Sequence, residues 1–172
     1  MTSKIGIYPG TFDPVTYGHL DIVTRSLKVV DKLYIAVAES STKNTLFTAA
    51  ERIDMIKKSM EEVGKFDASR IEVVSFSGLL VKFAKSINAS LIIRGIRAVS
   101  DFEYEFQLSC MNSKLDSHFQ TIFLPASEHY QLISSRIVKE IAKLGGETSD
   151  FVSSYTKNKM HETFAAELTA RK

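Results

Sequence analysis

Five short apolar runs, rich in β-branched residues, are separated along the sequence by longer segments of helical period. The runs lie at 4–9, 32–39, 71–76, 90–94 and 120–124, and most of them are unbroken. Unbroken apolar strands are typical of parallel sheets with both faces covered, and strands that alternate with helices form crossover units. We therefore predict an α/β fold: a Rossmann-like, doubly wound, five-stranded parallel sheet with helices on both faces and a C-terminal helix.

Several helices between and after the strands are signalled locally. Apolar residues recur at helical spacing in two segments, as Leu20, Val23, Leu27 and Val30, and as Leu80, Phe83 and Ile87. Thr48 and Glu51 have the spacing of a capping box, in which each side chain binds a free backbone amide at a helix start. Ser134 or Ser135 opens another predicted helix, which the glycine pair at 145–146 ends. Met160, Phe164 and Leu168 mark the C-terminal helix.

The segment Asp101–Leu108 gives an ambiguous signal. Its apolar residues alternate with period two, which alone favours a strand. Interpreted as a helix that continues to Leu115, the segment carries aromatic residues on two faces, more than packing on one sheet requires. We therefore expect the surplus apolar side chains to contact another subunit.

Size and charge limit the classes of protein to consider. A chain of 172 residues with 44% hydrophobic content can bury a full core, so a single domain over 1–172 is expected. The net charge of +2 gives no strong global field for nucleic acid or an anionic membrane. The single cysteine, Cys110, excludes an internal disulfide and is interpreted as buried core filler. No apolar run has the length of a membrane span, so a cytoplasmic location is expected.

The turn after the first predicted strand is rich in glycine and runs directly into a helix. Gly10, Thr11 and Phe12 follow the strand, and Gly18 and His19 lie in the first turn of the helix. A helix start offers free amides and a partial positive charge to an anion. The alternative is an ordinary turn with a surface histidine, because similar turns occur in proteins that bind no nucleotide.

Cationic residues follow other strands of the predicted sheet. Lys43 lies in a polar loop after the second strand, Arg94 and Arg97 close the fourth, and the helix opened by Ser134 or Ser135 follows the fifth. Taken alone, Lys43 is more typical of a solvated surface charge, and Arg94 fits a surface charge nearly as well as a binding residue. The serines fit an ordinary helix cap as well as a ligand site. Because the carboxyl ends of parallel strands share one edge of a sheet, these features together indicate a small, highly anionic ligand such as a nucleoside triphosphate.

Other common sites receive no support from the sequence. It contains neither a G-x-x-x-x-G-K-[ST] loop nor a G-x-G-x-x-G turn. The four histidines are too far apart in sequence for zinc-ligand spacing, so no metal site is predicted. His118, His129 and His161 are expected at the surface, and no catalytic triad can be argued.

Four motifs, in this order, resemble a known family. They are GTFDPVTYGH, the loop from Ser41 that ends at Phe47, RGIRAVSDFEYE and ISSRIVKE. They closely resemble bacterial phosphopantetheine adenylyltransferase, of the nucleotidyltransferase α/β superfamily, from about residue 4 to residue 142. The resemblance implies an enzyme that transfers an adenylyl group from ATP, accompanied by Mg²⁺, to 4'-phosphopantetheine in coenzyme A synthesis. It also implies assembly as a homohexamer.

The resemblance also implies roles for individual residues. His19 stabilises the transition state at the α-phosphate. The residues implied for the acceptor substrate are Thr11, Lys43, Leu80 and Arg94. Those implied for the nucleotide are Thr11, Phe12, His19, Gly95, Ile96, Arg97, Glu105, Tyr130, Gln131, Leu132, Ile133, Ser134, Ser135 and Arg136. Two positions depart from the wider pattern: Thr16 replaces the first histidine of HxGH, and Arg136 replaces a usual serine or threonine.

Two alternatives remain open from the sequence. A sister nucleotidyltransferase, acting on nicotinamide mononucleotide or using CTP, shares the first motif but is not expected to carry RGIRAVSDFEYE. A non-catalytic sensor of nucleotide or coenzyme A is compatible with the same fold, because a fold does not fix a function.

Overall fold

The computed structural model describes residues 3–39 and 44–170. Within them lies a five-stranded sheet of β1 (Ile5–Gly10), β2 (Lys32–Ala38), β3 (Ile71–Phe76), β4 (Leu91–Ile96) and β5 (Gln120–Pro125). The strand order is β3-β2-β1-β4-β5 and every neighbouring pair is parallel. The predicted fold class is confirmed. β4 extends two residues beyond its predicted end, because Gly95 and Ile96 still pair with Leu124 and Pro125 of β5.

Helices cover both faces of this sheet. They are α1 (Tyr17–Ser26), α2 (Ala49–Val63), α3 (Leu80–Ser86), α4 (Val99–Leu115), α5 (Ser135–Lys143) and α6 (Ser154–Ala170), with short 3₁₀ turns at Ala68–Arg70 and Glu128–Tyr130. Successive strand residues point to opposite faces: Tyr8 and Ile93 belong to one apolar cluster, whereas Ile7 and Ile92 belong to the other. The first cluster is the larger.

Two predicted helix ends are confirmed in detail. Glu51 donates its backbone N–H to the Thr48 hydroxyl and accepts the N–H of Thr48, so the capping box that begins α2 is complete. Ser134 caps α5, since its hydroxyl accepts the N–H of Ile137 at 3.3 Å. Gly145 follows α5 with φ of +79°, a conformation that favours glycine.

The first helix is shorter than its apolar period suggested. α1 ends at Ser26, and residues 27–29 form a turn. The guanidinium of Arg70 donates to the carbonyls of Leu27, Val30 and Asp31 at 2.7, 2.6 and 2.9 Å. These bonds satisfy backbone groups near the end of the helix that would otherwise need a continuing helix or water.

The ambiguous segment is helical. It forms α4, whose exposed apolar side chains are Val99, Phe102, Tyr104, Phe106, Leu108, Met111 and Leu115. Cys110 is also exposed on α4, so its interpretation as core filler was wrong. α4 has apolar residues around its circumference, and one sheet can cover only part of them.

The order of the strands creates a crevice beside β1. The chain moves from β1 to β2 on one side and later crosses back to place β4 on the other side. The carboxyl ends of β1 and β4 are therefore neighbours from which the crossovers leave in opposite directions. Among the helices described, none is long and apolar enough to cross a membrane.

The capping box supplies a test of local stability. We expect Thr48→Ala to lower the free energy of unfolding by about 1 kcal/mol, because the Glu51 amide loses its acceptor. Thr24→Ala is the control, since Thr24 is an exposed residue inside α1, where alanine is the better helix former. Urea unfolding at equal protein concentration measures both. Equal losses in the two variants would contradict the role of the box.

Candidate active site

A cavity of about 660 Å³ opens at the carboxyl ends of β1 and β4. Its walls come from the turn after β1, the start of α1, the end of β4, α4 and the start of α5. The residues named from the sequence that line it are Thr11, Phe12, His19, Arg94, Gly95, Arg97, Glu105, Ile133, Ser134, Ser135 and Arg136. Segments up to 131 residues apart in the chain, at Tyr8 and Lys139, thus converge on one site, as the positions of the strand ends predicted.

Other residues named from the sequence do not line this cavity. Leu80 begins α3 and packs against the smaller apolar cluster. Ile96, Tyr130, Gln131 and Leu132 also lie outside the lining, and Leu132 is 90% exposed. Lys43 falls outside the described residues. The roles implied for these residues stay predictions.

The imidazole of His19 is held by the start of its own helix. The backbone N–H of Thr16 donates to Nδ1 at 3.0 Å, and the Thr16 hydroxyl lies 2.9 Å from the same nitrogen. Because a backbone N–H can only donate, Nδ1 carries no proton and the neutral ring is protonated at Nε2. Thr16, in the first position of the HxGH pattern, therefore orients the histidine.

The environment of His19 keeps the ring neutral. Burial, and then the positive charge of Arg97, lower the pKa of His19 from 6.5 to about 4. The ring also packs edge-on against Phe12, with centroids 5.1 Å apart. At neutral pH, His19 thus offers a fixed Nε2–H donor without a charge of its own.

The two glycines of the opening motif have different structural reasons. Phe12 is buried with φ of 51°, and its ring packs against Tyr8. A Cβ at Gly10 would approach that ring to 2.8 Å, so packing in the protein itself requires glycine there. A Cβ at Gly18 would meet its nearest neighbours at 3.6 Å, an ordinary contact. Packing within the protein therefore does not require glycine at position 18. The prediction that Gly18 lets a ligand approach the backbone closely still stands as a prediction.

Two helix N-termini face the cavity. The Tyr17 amide donates to the Phe151 carbonyl at 2.8 Å, whereas no acceptor among the described residues engages the Gly18 amide. At α5, the amides of Ser135 and Arg136 likewise have no acceptor in the described part of the chain. The Ser135 hydroxyl donates to the Pro14 carbonyl at 2.7 Å and so holds the start of α5 against the first turn. Such amides form an anion-binding site.

The two arginines of the fourth strand are bound by carboxylates of α4. Arg94 makes a bidentate pair with Glu105 and also donates to the Pro9 carbonyl at 2.7 Å. Arg97 binds Asp101 at 2.9 Å and the Ile133 carbonyl at 2.9 Å. Both guanidiniums are therefore fixed in direction, rather than free surface charges.

Sequence reasoning missed one buried ion pair at the site. Asp13 is 5% exposed, pairs with Lys139 of α5, and accepts the N–H groups of Leu46 and Phe47 at 3.0 Å each. Asp13 lies in the motif GTFDPVTYGH and Lys139 in ISSRIVKE, but neither residue was assigned a function from the sequence. The spacing of four residues from Ser135, which places Lys139 on the same side of α5, was the signal available.

The lining of the cavity is positive on balance. Among its described residues, the cations are Arg94, Arg97, Arg136 and Lys139, and the carboxylates are Asp13 and Glu105. Arg136 has no ion pair within the described ranges, so its charge is the most available. In the same ranges, no group of three or more His, Cys, Asp or Glu residues could hold a metal ion. The excess of positive charge suits an anionic ligand.

Comparisons with known proteins agree on one family. Residues 7–141 match the model of the cytidylyltransferase-like family. A phosphopantetheine adenylyltransferase of Wolbachia pipientis (subsp. Culex pipiens) is 57% identical over 160 residues, 93% of each chain. One from Acidiphilium cryptum is 51% identical over 152 residues, 88% of this chain and 90% of that protein.

A comparison with solved structures supports the fold. The structure of Plasmodium falciparum nicotinic acid mononucleotide adenylyltransferase in complex with NaAD superposes with a TM-score of 0.69. The match covers 94% of this chain and 96% of that one, at 17% identity. At this identity, the likeness shows the shared α/β architecture alone.

The environment of His19 supplies a pH prediction. Because its pKa is lowered from 6.5 to about 4, the His19 NMR signal should stay at its neutral position between about pH 8 and about pH 5.5. Its signal is assigned by its loss in His19→Gln. The unfolded chain binds a proton at His19 more readily than the folded chain does. The neutral His19 ring therefore contributes fully to the free energy of unfolding above pH 6.5, and this contribution is lost as the pH falls towards 4. A titration midpoint near the ordinary histidine value would contradict the described environment.

Proposed function

Since the chain belongs to the cytidylyltransferase-like family and, within it, to the phosphopantetheine adenylyltransferases, we propose that it transfers an adenylyl group from ATP to 4'-phosphopantetheine. The enzyme is a nucleotidyltransferase. The products are dephospho-coenzyme A and pyrophosphate, so the reaction belongs to coenzyme A synthesis. The observation that carries this function is a neutral, oriented histidine in a cationic cavity at the switch point of the sheet.

The chemistry needs little from the protein beyond position and charge. A phosphate oxygen of the acceptor attacks the α-phosphorus of ATP, and the bond from that phosphorus to the bridging oxygen of pyrophosphate breaks. The acceptor phosphate is already an anion at neutral pH, so no general base or covalent intermediate is required. The two anions repel each other, and the cationic lining lowers that repulsion.

His19 fits the role of a donor to the transition state. Its Nε2–H is preorganised by Thr16 and does not depend on protonation of the ring near neutral pH. The described free amides at the starts of α1 and α5 are candidates to hold the phosphates of ATP. Arg136, which has no ion pair among the described residues, can supply a positive charge there in place of the usual hydroxyl.

We propose that Mg²⁺ enters as the counterion of ATP and not as a resident ion of the protein. Asp13 and Glu105, the carboxylates among the described lining residues, are already paired with Lys139 and Arg94. Magnesium is commonly bound through substrate phosphates with few protein ligands. The contacts implied for Thr11, Lys43 and Arg94 with the acceptor remain part of the same proposal, as does a cytoplasmic location.

An assay of pyrophosphate release tests the function directly. We expect release with ATP and 4'-phosphopantetheine together, and none with either alone. Nicotinamide mononucleotide as acceptor, or CTP in place of ATP, tests the sister enzymes. Binding of both substrates without release of pyrophosphate would instead indicate the sensor and would contradict the proposal.

The same assay tests His19. We expect His19→Ala to lower kcat about 10²- to 10³-fold, because one preorganised donor to the transition state is lost. This loss corresponds to about 2.7–4 kcal/mol of transition-state stabilisation, and the KM for ATP should change little. The control is His161→Ala, an exposed histidine of α6. Equal turnover of the two variants would reject the role of His19.

We also propose a hexamer in which α4 lies at a subunit interface. The exposed apolar side chains of α4 support such an interface, since single exposed hydrophobes are common but so many on one helix are not. The number of six subunits is taken from the resemblance to the family. Glu105 and Asp101 occupy α4 as well, where they bind Arg94 and Arg97 of the same chain.

Sedimentation of the purified chain tests the hexamer. We expect a particle of six 19.2 kDa chains and its dissociation by Met111→Glu combined with Leu115→Glu, because buried charges oppose the contact. Leu144→Glu is the control, since Leu144 is 87% exposed after α5. A monomeric wild-type particle at micromolar concentration would contradict the assembly.

A further inference from the structure

Among the described residues, one buried arginine outside the cavity lining has only backbone acceptors. Arg52 of α2 is 2% exposed, and within the described ranges it forms no ion pair. Its Nε donates to the carbonyls of Phe47 and Thr48 at 3.1 and 3.3 Å. Its Nη1 donates to the carbonyls of Thr11 and Ala38 at 2.6 and 3.1 Å. Burial lowers the pKa of Arg52, and Asp13 and Glu39 partly oppose that shift.

The four carbonyls belong to segments that bound the cavity. Thr11 lines it in the turn after β1. Ala38 ends β2, and Phe47 and Thr48 follow Asn44 and Thr45, which also line the cavity. One guanidinium therefore ties the turn after β1 to the end of β2 and to residues 47–48 at the start of α2.

The segment at 46–47 is held from the other side as well. Asp13 accepts the N–H of Phe47, whereas Arg52 binds its carbonyl, and the Phe47 ring is buried. Burial of a cation without a carboxylate partner lowers stability, because the charge loses its hydration. An apolar side chain of similar volume would fill the same space without that loss of stability. The hydrogen bonds of Arg52 thus point to a requirement beyond packing.

We propose that Arg52 is a positioning residue for the acceptor side of the cavity. It holds the Thr11 turn and the wall at Asn44 and Thr45 in the arrangement that the acceptor needs. The inference rests on the proposed function, in which Thr11 contacts 4'-phosphopantetheine. Arg52 itself touches neither the substrate nor the reacting atoms.

The chain contains a matched control. Arg70 also binds backbone carbonyls, those of Leu27, Val30 and Asp31, and forms no ion pair among the described residues. It lies at the start of β3, at the opposite edge of the sheet from the cavity. Loss of its guanidinium removes a similar set of hydrogen bonds but leaves the cavity wall untouched.

Kinetics of Arg52→Lys and Arg70→Lys in the full chain test the proposal. One ammonium cannot reach the same spread of carbonyls as a planar guanidinium. We expect Arg52→Lys to raise the KM for 4'-phosphopantetheine about tenfold or more and the KM for ATP by clearly less. Thr11 is implied for both substrates, whereas Asn44 and Thr45 are not among the residues implied for the nucleotide. Arg70→Lys should lower Tm and leave both KM values unchanged. Equal effects of Arg52→Lys on the two KM values, or an effect on Tm alone, would overturn the proposal.

Hydrogen exchange keeps the test independent of activity. Below the Tm of both variants, the Leu46 and Phe47 amides should exchange faster in Arg52→Lys than in Arg70→Lys. Arg52→Gln, which keeps an uncharged donor pair, replaces Arg52→Lys if that variant does not fold. A wild-type chain that releases no pyrophosphate overturns the proposed function, and the exchange comparison then decides the positioning role by itself. Equal exchange of the Leu46 and Phe47 amides in the two variants overturns the positioning role of Arg52.

Discussion

The crevice between β1 and β4 is the constraint on which the site depends. Crossovers leave these two parallel strands in opposite directions, so neither connection covers the carboxyl ends. The turn after β1, the start of α1 and the side chains of β4 can then face one cavity. The hydrogen bond from the Thr16 N–H to His19 fixes the imidazole inside this crevice. The cationic side chains and the free helix-start amides line the same crevice.

The electrostatics of the site combine fixed cations with an uncharged donor. Arg94, Arg97 and Lys139 are each paired with a carboxylate. The pairing fixes the direction of each cation, but it also neutralises part of the positive charge that the cation presents to the cavity. His19, by contrast, is kept neutral by burial and by Arg97. Such preorganised groups need no rearrangement as charge develops in a transition state, which is the main route by which enzymes stabilise phosphoryl-type transfers.

Local patterns in the sequence predicted what local interactions decide. The strands, the capping box at Thr48 and the glycine after α5 depend on residues a few positions apart, and all were confirmed. The ion pair of Asp13 with Lys139 spans 126 positions, and Arg52 binds backbone atoms up to 41 positions away. The spacing of Lys139 from Ser135 indicated its side of α5, but no local pattern identifies the partner of either cation. α4 gave an ambiguous periodicity because its apolar residues do not all face the sheet, and Cys110 is exposed on the same helix.

α4 carries two features that are usually separate. Its carboxylates Asp101 and Glu105 anchor the two guanidiniums of the cavity, and its outward side chains form an exposed apolar surface. Asp101 and Glu105 lie one turn apart on this helix, so a single element orients both guanidiniums. A substitution that repacks α4 would therefore reach Arg94 and Arg97 together, although neither arginine belongs to the helix.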